Sequence, residues 1–84
     1  MPSLEHETLQ TIGETLRNAE HRLQTAGIDT PRLDAEVLLA AALNVSRTEL
    51  MASADREVTP VQSMAFEAMM ARRENREPVA YILE

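Results

Sequence analysis

Thr30-Pro31-Arg32-Leu33-Asp34-Ala35-Glu36-Val37-Leu38-Leu39-Ala40-Ala41-Ala42-Leu43 decides the fold of this chain. From Val37 to Leu43 every residue is apolar. A helix that is apolar on all sides must be surrounded, so this segment is expected to be the central helix, over 31–43, of a bundle. Pro31 suits the first helical position, where no intrahelical N–H bond is lost, and Thr30 is placed to cap it. Asp34 and Glu36 lie near the positive end of the helix dipole. Asn44 is the expected stop.

Helical signals continue on both sides. Leu9, Ile12, Leu16, Ala19, Leu23 and Ala26 follow a 3-4-3-4-3 spacing, which puts them on one stripe and predicts a first helix over 4–26. Gly27 can end it in the left-handed conformation, with Ile28 folding back on Leu23. Downstream, Ser46-Arg47-Thr48-Glu49 has the spacing of a capping box and predicts a short helix over 47–53. Thr59-Pro60-Val61-Gln62 repeats the pattern and opens a helix over 60–75. Its expected inner stripe is Val61, Met64, Ala65, Ala68 and Met69, with Phe66 and Met70 widening it or forming a second patch. After Pro78, Val-Ala-Tyr-Ile-Leu predicts a short helix over 78–83. The fold class is therefore all-α, a small bundle of four to five helices. Residues 1–77 are expected to form the domain and 78–84 a short helix that begins a linker.

Composition narrows the function. The chain has 84 residues, 44% of them hydrophobic, enough for one packed core and too many for a disordered tail. Aromatics are limited to Phe66 and Tyr81, so Leu, Ile, Val, Met and Ala must fill the interior. The absence of cysteine excludes a disulfide framework and a Cys-based zinc site. Fourteen acids against eight arginines leave a formal charge of −6, which repels a phosphate backbone and argues against nucleic acid. The same charge and the absence of Lys place a helix-turn-helix reading of the second and third helices far behind. No run of roughly 18 apolar residues could span a bilayer. The amino terminus, with two acids and no basic residue in its first ten, does not read as a secretory signal, so the expected compartment is the cytoplasm.

Groups able to do chemistry are few. His21 lies beside the first helical stripe and reads as a surface residue; His6 sits between Glu5 and Glu7 near the terminus. Asp34 and Glu36 are two positions apart, so they point to different faces and cannot act as a paired acid and base. They read instead as a helix start and a surface pair from Arg32 to Glu36. No nucleophile–His–acid set stands out, and two isolated glycines make no phosphate loop. The five methionines read as core filler. No catalytic, cofactor-binding or metal-binding residue is assigned. The candidate partner-binding residues are Arg72, Arg73 and Arg76, a basic cluster able to grip acidic groups.

Two stretches together point to a family. Thr30 to Leu39 resembles the "prlDAexLL" signature of the release-factor glutamine methyltransferases, the HemK/PrmC family. Arg72-Arg73, then Arg76-Glu77-Pro78-Val79-Ala80-Tyr81-Ile82-Leu83, resembles that family's "RR…rePvAYILG". The resemblance covers essentially the whole chain. It implies an N-terminal helical bundle, non-catalytic by itself, that recognises a substrate for a C-terminal catalytic domain binding S-adenosylmethionine. The implied partners are that domain and class 1 peptide-chain release factors, whose Gly-Gly-Gln glutamine is methylated. The family's Asn-Pro-Pro-Tyr motif and cofactor loop belong to the second domain, so none of their residues is carried over here. Glu84 stands where the family pattern has Gly, and Leu83-Glu84 is read as a possible vector remnant at a cut linker. The alternative is a stand-alone helical interaction module unrelated to methyl transfer.

Overall fold

The computed structural model describes residues 9–84. It contains α1 (Ile12–Thr25), α2 (Pro31–Leu43), α3 (Arg47–Met51), α4 (Pro60–Glu74) and α5 (Val79–Ile82). The all-α expectation holds: the β-structure among the described residues is one isolated bridge between Thr11 and Glu57. The expected first helix before residue 9, and His6, lie outside the described residues.

α2 is the central element and packs against α1, α3 and α4. Ala35, Leu38 and Leu39 are fully buried, facing Leu16 and Leu23 of α1 and Phe66 and Met70 of α4 in one core. It is not surrounded on every side, however. Leu33 and Ala41 are exposed and Val37 half-buried, four residues apart along one edge. Three partners are too few to cover every face of a thirteen-residue helix in so small a bundle.

The start of α1 also differs from expectation. Residues 9–11 are not helical, because Thr11 and Glu14 form a capping box. The Thr11 hydroxyl accepts from the Glu14 amide at 3.1 Å, and the Glu14 carboxylate accepts from the Thr11 amide at 2.9 Å. The next two orphan amides reach the loop before α4: Ile12 donates to the Arg56 carbonyl and Gly13 to that of Ala54. Every free N–H of the first turn thus finds an acceptor. At the other end the Gly27 turn forms as read. Gly27 has φ +82°, its amide donates to the Gln24 carbonyl, and Ile28 donates to that of Leu23. Leu23 and Ile28 are both buried.

The same double closure recurs after α2, at Asn44 with φ +59°, and after α4, at Arg76 with φ +71°. Thr30 precedes α2 but makes no side-chain cap; its hydroxyl donates to Asp34 instead, at 2.9 Å. Both remaining capping boxes, Ser46/Glu49 and Thr59/Gln62, are present. α3 ends at Met51, two residues short of the expected boundary. α5 covers Val79–Ile82, with Pro78 as its cap and Ile82 buried.

The largest correction concerns α4. Its buried residues are Phe66 and Met70, with Met69 half-buried, while Val61 and Met64 are 77% and 74% exposed and Ala65 and Ala68 also face out. α4 carries apolar residues around most of its circumference, so periodicity alone selects no single face. Packing then turns inward the side with most area to bury, the one holding the only phenylalanine.

Candidate functional site

The three candidate arginines stand at the carboxyl end of α4, where cations face the negative pole of the helix dipole. Each is turned to a partner within the chain. Arg72 pairs with Glu77 at 2.7 Å, and that hydrogen bond raises its already high pKa further. Arg73 donates from Nε to Asp34 Oδ2 at 2.9 Å and from Nη1 to the Glu77 carbonyl at 2.8 Å. Arg76 donates from Nη2 to the Ala26 carbonyl at 2.9 Å, at the carboxyl end of α1. The cluster thus ties α4 to α1, α2 and the turn before α5. Arg72 and Arg76 remain exposed at their outer edges, whereas the Arg73 side chain is only 19% exposed.

The two stretches that carry the family resemblance meet at this point, through Asp34 and Arg73. Asp34 and Glu36 do point apart, as their spacing requires, and they share no arginine. Glu36 accepts from Arg32 at 2.9 Å and Arg47 at 2.8 Å. The Arg32–Glu36 pair read from the sequence is present, but Glu36 is buried rather than on the surface. Burial pushes its carboxyl up, and the hydrogen bonds from Arg47 and Arg32 more than offset this and hold it below the ordinary value.

A second junction joins α1 to α4. Arg22 forks between Glu74 at 2.9 Å and Glu67 at 2.8 Å. Its hydrogen bond with Glu74 leads in raising the Arg22 pKa and in lowering that of Glu74. Sequence reasoning missed Arg22, Arg47 and the Arg73–Asp34 link. The available signal was chemical: a buried carboxylate must be paired, and every cationic side chain here is arginine. Which arginine meets which acid depends on helix docking. Guanidinium groups stay protonated throughout the useful pH range, so these junctions hold and orient rather than shuttle protons. His21 is exposed on α1. Among the described residues no three His, Asp or Glu converge on a metal-binding position, and there is no pocket.

Residues 14–83 match the family described as the PrmC N-terminal domain. The chain belongs to this family. It is 42% identical over 81 residues to a release factor glutamine methyltransferase of Nitratidesulfovibrio vulgaris, covering 96% of this chain and 26% of that protein. A protein of the same name from Rhodospirillum rubrum is 40% identical over 82 residues, covering 98% and 25%. A bifunctional methyltransferase of Rickettsia bellii is 34% identical over 73 residues, covering 87% and 13%. The chain therefore spans about a quarter of the length of the first two relatives. No solved structure matches it.

Proposed function

We propose that this chain is the substrate-recognition domain of a protein-(glutamine-N5) methyltransferase acting on the Gly-Gly-Gln glutamine of class 1 peptide-chain release factors. The observation that carries the reading is the family match over residues 14–83, an N-terminal domain, together with relatives about four times as long that are named for this activity. Methyl transfer belongs to a catalytic domain beyond this chain, and the bundle holds the protein substrate against it. Fixing a large substrate in this way lowers the entropic cost of bringing the reacting atoms together. The work is cytoplasmic, where translation termination takes place.

S-adenosylmethionine does not fit the residues present. Gly13 lies in the first turn of α1 and Gly27 ends that helix, so neither opens a cradle for a nucleoside, and no cavity exists among the described residues. The contact surface combines the uncharged outer face of α4, around Val61, Met64, Ala65 and Ala68, with the exposed edges of Arg72 and Arg76. Arg73, which is nearly covered, supports that surface from beneath.

Titrating a class 1 release factor into the isotope-labelled chain and following its amide resonances tests this. Selective attenuation at Val61, Met64 and Arg72 is expected, at release-factor concentrations below about 1 mM for even a weak contact. Spectra that stay unchanged would remove the recognition role and leave a helical module with some other partner.

A further inference from the structure

We propose that Asp34 and Arg73 are positioning residues that fix the direction of α5 relative to the bundle. α5 has four residues, too few to hold a helix or an orientation by themselves. Its one buried side chain is Ile82. Val79 also packs, half-buried, against the core, but apolar contacts are non-directional, so a directional restraint is still needed to fix the path of the chain.

Arg73 supplies it. Its guanidinium is planar and donates along two edges at once, Nε to Asp34 Oδ2 and Nη1 to the Glu77 carbonyl. The first bond reaches the amino-terminal turn of α2; the second grips the main chain one residue before the α5 cap. Because the acceptor at Glu77 is backbone, the grip sets the path of the chain itself. Asp34 is well prepared for the role: its other oxygen is occupied by the Thr30 hydroxyl, and the carboxylate is 8% exposed, so water competes little for the pair.

The turn between α4 and α5 is held at a second point. Arg76 takes φ +71°, a conformation that favours glycine, and its guanidinium reaches the Ala26 carbonyl of α1. Two consecutive arginine ties therefore tether residues 73–77 to α2 and α1. Only the consequence of this arrangement rests on the proposed function: in a longer chain of this family, α5 hands on to the domain that must meet the substrate, so its direction would set the relation of the two parts.

Distance measurement by paired spin labels on Gln24→Cys and Ala80→Cys, both exposed positions in a chain without native cysteine, tests the inference without any release factor. Arg73→Lys keeps the charge but replaces the rigid two-edged fork with one flexible donor group, so the fixed geometry toward Asp34 and Glu77 is lost. Asp34→Asn keeps the shape and removes the charge. Both are expected to broaden the α1–α5 distance distribution. They should also raise amide exchange at Ile82 and Leu83 by about tenfold while Leu16 and Leu38 keep their protection. Phe66→Leu, which loosens the core without touching the tie, should leave the distribution narrow. An unbroadened distribution in both variants would overturn the proposal. So would an equal acceleration of α5 and core amides, which would make the pair a general contributor to stability.

Discussion

The two glycines at the ends of α1, Gly13 in its first turn and Gly27 just past its C-cap, make opposite predictions. Gly13 lies within the helix, and a Cβ added there would meet the Ala54 carbonyl oxygen at 3.5 Å, an ordinary contact. Gly13→Ala should therefore stabilise the chain by about 0.5–1 kcal/mol, by lowering the entropy of the unfolded state. Gly27 has φ +82°, and a Cβ there would come within 2.6 Å of Arg76 Nη2. Gly27→Ala should cost about 1–2 kcal/mol. Urea denaturation of the pair would read both signs. Acid sensitivity is also set residue by residue. Glu36 and Glu74 have carboxyls below their usual 4.5 in the folded chain. Such a group binds fewer protons folded than unfolded, so its contribution is fully present above 4.5 and is lost as pH falls through the folded-state value. The melting temperature is expected to drop across that acidic window, and more gently in Glu74→Gln, where one of these groups no longer titrates.

Among the elements, α4 separates what local signals can tell from what they cannot. Its start was legible, because a capping box is a contact between residues three apart and needs nothing from the rest of the chain. The same spacing, Thr11 to Glu14, marks the start of α1, but the apolar stripe running back to Leu9 obscured it. The buried face of α4 was not legible. Val61, Met64, Ala65 and Ala68 make as good a helical stripe as Phe66 and Met70, and only docking against α2 chooses between them. Mutations should expose that choice. Phe66→Ala should cost about 3–5 kcal/mol by emptying a filled position, whereas Val61→Gln and Met64→Gln should stay within about 0.5 kcal/mol. Thermal and urea denaturation of the three variants would check it. A large loss in Met64→Gln would mean that α4 packs in the register its sequence stripe suggested.

At the scale of the whole molecule, stability rests on one contiguous core in which Leu38 of α2 is fully buried among side chains of the neighbouring helices. An ionised carboxylate there would have no partner, and a domain of this size has few kcal/mol to lose. Leu38→Asp should abolish the cooperative thermal transition followed by circular dichroism, and Leu16→Asp should do the same from the α1 side. The arginines add direction to this apolar core. Arg22 joins α1 to α4 and Arg73 joins α4 to α2, both across helices remote in sequence, while Arg47 joins α3 to its neighbour α2. By itself the sequence determined the all-α class, the positions of five helices, their turns and the family, because caps, left-handed glycine and apolar periodicity act over three or four residues. Only the tertiary structure decided which face of α4 is buried and which acids Arg22 and Arg73 meet. Those choices depend on area covered and charge paired across helices distant in the chain, and no local pattern contains them.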